Sequence, residues 1–503
     1  MPLVRTQPIG LEGAPPAVPE SRKLFFSVLP SIMLPMFLAS VDGTIVATAL
    51  PAIAGTLGEV ERVSWIVVSY LVASTIAAPV YGRLGDVLGR KRLLFVALAV
   101  IIAASGLCAV ATSVPMLVFA RVLQGFGGGG LMTLSQALVG EVVPPRERGR
   151  YQGYMASVFV CSSMFGPVAG GWLTQHWGWH SVFLVNFPIG FLALALALRL
   201  PKRAHGPGRV HFDFLGLGLF ALFIASSLMA LEQVRHFVLA ALPGAASLLA
   251  VAVAALLLLL RQEKRAAAPL LPVQFLGQTA VWRTDAMAAC VGATLVSMIT
   301  FLPIYMQVAR GASPSEAGFL MLPLTGLIAV GSMITGRLIS KTGRTAIIPS
   351  FGLPVVASLL CSLAIFAPQI PLGRLPWLLG VIALFNGTAM PVVQVTVQTL
   401  AGPKLLGAAA ASVQFSRSIG AATGTAVVGA VLFAVLAAKD ADTAELFGRI
   451  VELGPQALAG LAPERIAVVH AQIADAFRAA FFTIAVFASA GAAFAWSIPI
   501  RRI

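Results

Sequence analysis

From residue 25 onward, stretches of near-continuous apolar residues alternate with short breaks rich in charge, Pro or Gly. A helix needs about 20 predominantly apolar residues to cross the bilayer core. Fourteen segments meet that requirement, at 25–50, 63–81, 93–111, 115–140, 151–173, 180–198, 212–231, 237–260, 280–307, 315–336, 345–367, 375–401, 406–436 and 476–498. The pattern predicts an all-α integral membrane chain with fourteen transmembrane helices. Residues 1–24 hold five prolines and read as a mobile tail. The apolar run from Leu24 to Leu50 is too long for a signal-peptide core and carries Asp42, so it reads as a permanent first span.

Two polar islands interrupt the pattern in parallel positions. Gly82 to Leu94, G-R-L-G-D-V-L-G-R-K-R-L-L, follows the second span, and Gly336 to Arg344, G-R-L-I-S-K-T-G-R, follows the tenth. This repeat predicts a six-helix bundle at 25–199, linkers with an inserted helix pair at 200–278, and a second six-helix bundle at 279–503. Parallel repeats of this kind mark secondary transporters. The stretch 437–475 reads as an outer loop, and the spacing of Leu446, Phe447, Ile450 and Val451 predicts a short amphipathic helix within it.

Composition agrees with the pattern: 58% of the 503 residues are hydrophobic and 11% are charged, against roughly 25% charged in soluble domains. The net charge of +15 does not point to nucleic acid, because the basic residues stand singly or in small clusters between apolar runs and gather on no one face. Most of the 34 Lys and Arg fall in the tail and in alternate breaks. By the positive-inside rule that predicts cytoplasmic N- and C-termini. The cysteines at 108, 161, 290 and 361 lie singly in apolar segments, and the histidines show no metal-ligand spacing, so neither a disulfide framework nor a metal site is expected.

In the first island, Gly82, Gly85 and Gly89 allow tight turns and close helix approach, and Arg90, Lys91 and Arg92 follow Asp86. Asp86 can pair with a basic group or accept hydrogen bonds from a helix N-terminus. The island reads as a latch between helices rather than only a solvated positive loop. The pattern G-x-L-x-D-x-x-G-R-K resembles the loop motif after helix 2 of the major facilitator superfamily. V-D-G-T-I-V-A-T-A-L-P at 41–51 resembles the helix 1 motif of the fourteen-span drug:proton antiporters, with Ala47 where Asn is common. R-V-L-Q-G at 121–125 is similar to their helix 4 motif, and G-P-V-A-G-G at 166–171 to their helix 5 antiporter motif. The resemblance implies a major facilitator fold of two six-helix bundles plus two inserted helices.

Asp42 is the first candidate for chemistry. A carboxyl inside a span is functional by default and can take up and release a proton; the competing reading is a structurally paired acid. Arg121, with Gln124 one turn on, is the second. The resemblance implies proton coupling for Arg121, while an interfacial Arg reaching toward headgroups is the alternative. Gly166, Pro167, Gly170 and Gly171 are expected to bend span five and press it against a neighbour; a link to antiport comes from the resemblance. Gln124, Asn386, Gln394, Gln398 and Gln414, with Arg417, either line a cavity or bond between helices.

The second island has Ser340 in the acidic position, so a latch there is expected to be weaker. Spans ten to thirteen lack interior acids, which suits monocationic or neutral lipophiles better than dications. No nucleophile with a base and no phosphate loop is evident, which argues against an enzyme or an ATP-driven pump. The expected function is proton-coupled export of lipophilic drugs or toxic compounds across a bacterial inner (plasma) membrane. A same-fold transporter of a specific metabolite, siderophore or lipid is the alternative. The expected partners are a small lipophilic substrate, protons and the lipid bilayer, with no cofactor beyond the proton gradient. The chain is expected to act as a monomer, with a periplasmic adaptor as a candidate partner in a Gram-negative cell.

Overall fold

The computed structural model describes residues 19–58, 62–200, 212–235, 242–266, 269–270, 272–453 and 462–502. The expected tail up to residue 18, and part of the linker region 200–278, lie outside the described residues.

The first half contains α1 (Pro19–Ile45), α2 (Leu50–Leu57), α3 (Ser64–Leu88), α4 (Arg90–Ala109), α5 (Val114–Val142), α6 (Pro145–Trp177), α7 (Ser181–Leu184) and α8 (Asn186–Ala197). An inserted pair follows, α9 (Phe214–Arg235) and α10 (Leu242–Arg265). The second half comprises α11 (Val273–Leu276), α12 (Thr279–Ile304), α13 (Pro314–Thr342), α14 (Ile347–Phe366), α15 (Leu375–Asn386), α16 (Ala389–Ala401), α17 (Leu406–Lys439), α18 (Ala441–Leu453) and α19 (Pro463–Ser497).

Local chemistry sets several of these boundaries. Ser113 accepts from the Met116 N–H at the start of α5, and Ser313 accepts from the Glu316 N–H at the start of α13, each followed by a Pro in the first turn. At the first island Gly89 takes φ +97° between α3 and α4, a conformation a side chain would strain. Gly343 ends α13 at φ +66°, so both islands turn on a glycine.

Among the described residues, twelve helices are long and apolar enough to cross a membrane. Two shorter apolar stretches, Ser181–Ala197 and Phe214–Ala230, stand where the sixth and seventh spans are expected. Large apolar side chains such as Trp377, Phe214, Phe319 and Val168 are exposed, as for a surface facing lipid rather than water. This is an all-α, multi-pass membrane architecture.

The inserted pair packs together and against the seam between the halves: Phe220 and Ile224 meet Val72 and Ile76 of α3 and Phe415 and Ile419 of α17. Asp213 joins its two ends, accepting from the Gly216 N–H at 2.8 Å and from Gln262 Nε2 at 3.1 Å.

The structure departs from the expected spans in two informative places. The sixth and twelfth spans are each interrupted, at Val185 between α7 and α8 and at Gly387–Thr388 between α15 and α16, with Asn186 and Asn386 beside the breaks. The expected outer loop 437–475 is largely helical, because α18 lies within it and α19 starts at Pro463. Phe447 and Ile450 of α18 are buried near Phe477 of α19, as their spacing predicted. Val451 has no described side chain and residues 454–461 lie outside the described set. Arg465 to Asp440 at 2.5 Å, and Lys439 to Asp475, tie the region down.

Candidate functional site

Asp42, in the last turns of α1, is fully buried. Arg121 Nη1 lies 2.9 Å from its Oδ2, and Gln124 Nε2 and Asn186 Nδ2 donate to its Oδ1 at 2.8 and 2.6 Å. The Arg121 Nη1 group also donates to Gln124 Oε1 at 2.8 Å, and its Nε to the Ile66 carbonyl at 3.2 Å. Ser105 Oγ accepts from both Gln124 and Asn186, and itself donates to the Ile101 carbonyl. Helices α1, α3, α4, α5 and α8 thus meet in one buried polar cluster, in which α5 and α8 reach the carboxylate directly. A charge pair taken out of water costs more than it returns unless its remaining donors and acceptors are satisfied, and here the Gln124 and Asn186 amides and the Ile66 carbonyl supply partners, with Ser105 holding the two amides.

Tyr70 of α3 closes this cluster on one side. The Arg121 guanidinium sits 4.1 Å from its ring centroid, and its hydroxyl donates to the Ala39 carbonyl at 2.9 Å. A Cβ on Gly128 would fall 2.4 Å from the Tyr70 hydroxyl, and one on Gly125 the same distance from the Tyr70 carbonyl. The bare faces of α5 therefore form the socket that seats Tyr70.

Tyr70 also lines a cavity of about 500 Å³ between the halves. Its wall is mostly apolar, with Gln136, Gln152, Asn386, Gln394, Gln414 and Arg417 as larger polar members. Asp42 and Arg121 are not in that wall, although Ala39, Ser40 and Gly43 beside Asp42 are. On α3 the wall runs from Val67 to Ser74, in the half of the helix away from the first island.

At the island end the two halves touch. Asp86 accepts from the Gly407 and Ala408 N–H groups at 2.9 and 3.1 Å, so it caps the N-terminus of α17 from the opposite half. Arg90 bridges Asp86 and Glu141, each at 2.5 Å. A Cβ on Gly82 would meet the Gly407 carbonyl oxygen at 2.6 Å, and one on Gly336 would meet the Gly149 carbonyl oxygen at 2.0 Å. Two backbone-to-backbone crossings, α3 on α17 and α6 on α13, therefore close this end.

The sequence profile of the Major Facilitator Superfamily matches residues 32–425. This chain belongs to the major facilitator superfamily. It is 33% identical over 418 residues to an uncharacterised MFS-type transporter of Mycobacterium tuberculosis, covering 83% of this chain and 60% of that relative's length. It is 27% identical to the multidrug transporter protein MdtP of Bacillus subtilis, over 93% of this chain and 92% of the relative. Among solved structures, the human organic anion transporter MFSD10 aligns with a TM-score of 0.65 at 15% identity, covering 95% of this chain and 100% of that chain. The proton:xylose symporter XylE aligns with a TM-score of 0.61 at 16% identity, over 95% and 96%. At such identities these structures show a shared fold.

Within the major facilitator frame, the motif residues take distinct places. Arg121 is buried against Asp42, away from any headgroup contact, and Gln124 belongs to that cluster rather than to the cavity wall. Gln398 is also outside the wall: it donates to the Gln136 carbonyl at 3.0 Å across the seam between the halves. Asn386, Gln394, Gln414 and Arg417 do line the cavity. Lys91 donates to the Leu198 carbonyl at 2.9 Å and to that of Leu200, holding the island to the end of α8. Ser340 donates to the Gly336 carbonyl of its own helix at 3.0 Å, and a serine there supplies no charge to match Asp86 of the first island.

On α6, Gly166 and Gly170 press against α1. A Cβ on Gly166 would lie 2.1 Å from Thr44 Oγ1, and one on Gly170 2.4 Å from the Ile45 carbonyl oxygen. Gly171 faces open space, and α6 runs unbroken through Pro167, so the close approach comes from two of the four motif residues. Asn186, Ser105 and Tyr70 complete the cluster without having been singled out by sequence. Asn186 left one signal, an amide two residues before Pro188 inside an otherwise apolar run.

Proposed function

We propose that this chain is a proton-coupled antiporter that exports lipophilic compounds, drugs or toxic molecules among them, across the inner or plasma membrane. The observation that carries the reading is the buried Asp42–Arg121 pair, which shares Tyr70 with a cavity between the two halves. A proton on Asp42 removes the negative charge of that pair and leaves Arg121 with an unbalanced positive charge, so the cluster has two states that differ by one unit of charge. Substrate entering from the cytoplasm or inner leaflet favours loss of the proton, and reprotonation from outside favours release, the halves rocking about the cavity. Inward proton movement supplies about 2.3 kcal/mol per charge per 100 mV, plus the pH-gradient contribution.

In this reading all fourteen apolar segments span the membrane, the islands are cytoplasmic with both termini, and the latched island end represents an outward-facing state. No cofactor is required. Relatives called multidrug transporter and efflux pump support the drug-export class. The lack of interior acids suited monocations or neutral lipophiles; with Arg417 the charged side chain among the described residues of the cavity wall, neutral compounds fit better than cations. The test is a drug-susceptibility panel in an efflux-deficient host. The wild type should raise tolerance to several unrelated lipophiles in a protonophore-sensitive way; tolerance to a single metabolite would support a narrow transporter instead.

A further inference from the structure

Arg417 lies mid-way along α17 and lines the cavity. Its Nη2 donates to Gln414 Oε1 at 2.8 Å, and its guanidinium sits 5.3 Å from the ring centroid of Phe159, which reaches in from α6 of the opposite half. Among the described residues no carboxylate pairs with it, and no Asp or Glu stands in the cavity wall. The acid of the neighbouring cluster is already held by Arg121. Gly292 on α12 gives α17 room here, since a Cβ on it would lie 2.5 Å from the Arg417 carbonyl oxygen and 3.2 Å from its Cγ.

An arginine within a membrane span without a counter-ion is costly, and such residues pair or mark a substrate path. A guanidinium is also a preorganised fork for carboxylate, sulfonate or phosphate groups. Around it the wall carries four methionines, Met36, Met132, Met155 and Met390, side chains that repack around varied apolar shapes. We propose that Arg417 is the head-group subsite of this cavity, and that it selects lipophilic compounds bearing an anionic group, with the apolar body lodged against the methionine-rich wall. The proposal rests on the export reading and narrows its substrate class from neutral lipophiles to lipophilic anions. Binding at equilibrium needs no proton gradient, so failure of proton coupling and failure of this subsite are separable.

The experiment is equilibrium binding to the full chain in zwitterionic-lipid nanodiscs, at one pH, of three matched probes: a lipophilic aryl sulfonate, its neutral sulfonamide and its trimethylammonium analogue. The wild type should bind the sulfonate about tenfold or more tighter than either partner. Arg417→Gln should erase that preference while leaving sulfonamide affinity within about twofold, and Arg417→Lys should keep part of it. Phe159→Leu should leave the order of the three probes unchanged. Equal affinities in the wild type, an unchanged preference in Arg417→Gln, or an equal loss for all three probes would overturn the subsite. Competition by phosphatidylglycerol that abolishes sulfonate binding at low mole fraction would assign the head group to a lipid and overturn the small-molecule class.

Discussion

Arg121 Nη1 stands 2.9 Å from Asp42 Oδ2 with both side chains closed to solvent. The two residues come from different helices, 79 positions apart in the chain. The pairing links a feature that can be neutralised by a proton to one that cannot, because a guanidinium stays charged. When the carboxyl is protonated, Arg121 loses its counter-ion and must find another partner or a more polar surrounding. Gln124 Oε1, the Ile66 carbonyl and the Tyr70 ring are the groups already beside it.

Arg121→Lys should fail where charge alone would predict success. One guanidinium serves Asp42, Gln124 and the Ile66 carbonyl together, and a lysine ammonium lacks that planar fork. Gradient-driven transport in proteoliposomes should fall by about tenfold or more for Arg121→Lys. Activity within about twofold of wild type would show that only the positive charge matters.

Tyr70 should act as the barrier between the cavity and the ion pair. Tyr70→Phe keeps the ring over Arg121 and loses one hydrogen bond, to the Ala39 carbonyl, so it should cost about 1 kcal/mol of stability and little transport. Tyr70→Ala removes the ring and should let water reach Asp42. Proton leak without substrate, followed with a pH-sensitive dye in liposomes, should rise for the Ala variant and stay at the wild-type level for Phe.

The first island should set the balance between two states. Asp86→Asn removes the charge that faces the N-terminus of α17 and pairs with Arg90. A loss of about 1–2 kcal/mol would shift the closed-to-open ratio by roughly five- to thirty-fold. Gly407→Ala should act in the same direction, since its Cβ would lie 2.1 Å from the Gly82 carbonyl oxygen. Spin labels at the exposed positions Arg92 and Lys404 would report the change by electron–electron double resonance. Distances unchanged in both variants would remove the latch from the account.

Outside the membrane, Asp440 accepts from Arg465 at 2.5 Å and from Thr443 Oγ1 at 2.9 Å. The hydrogen bonds from Arg465 and Thr443 hold its carboxyl below the usual carboxylate range. A lowered folded-state value means that its stabilising effect is present above the unfolded value of about 3.9 and is lost as pH falls through the lower folded value. Amide exchange in α18, corrected for intrinsic rates, should therefore be flat from neutral pH down to about 4 and accelerate below it. Asp440→Asn should abolish that acid-dependent step.

The legibility of the site in sequence divides along physical lines. Asp42 and Arg121 stood out because ionised side chains are expensive in an apolar span, and the island stood out because its charges interrupt two long apolar runs. Their partners were not legible, since Asn186 and Ser105 reach Asp42 and its amides only after five helices pack. Gln124 and Gln398 were grouped with the cavity on polarity alone, yet a polar residue in a span can equally face another helix, as both do. Asp86 offered an acceptor for some helix N-terminus, but Gly407 lies 321 positions away and has no side chain to advertise the match. The 437–475 stretch was too polar to read as span; its short amphipathic helix was legible from spacing, but the contacts of Phe447 and Ile450 near Phe477, and of Arg465 with Asp440, arise only in the fold.

The central claim is that Asp42 carries the coupling proton. Asp42→Asn keeps the shape of the side chain but leaves Arg121 buried without its counter-ion, which should lower stability by about 3–5 kcal/mol while the chain still folds. The decisive measurement compares two fluxes of one exported dye in the same Asp42→Asn proteoliposomes: accumulation driven by an imposed pH gradient, and counterflow against preloaded dye with no gradient. The account predicts that gradient-driven accumulation disappears while counterflow persists. Undiminished gradient-driven accumulation in Asp42→Asn would contradict it.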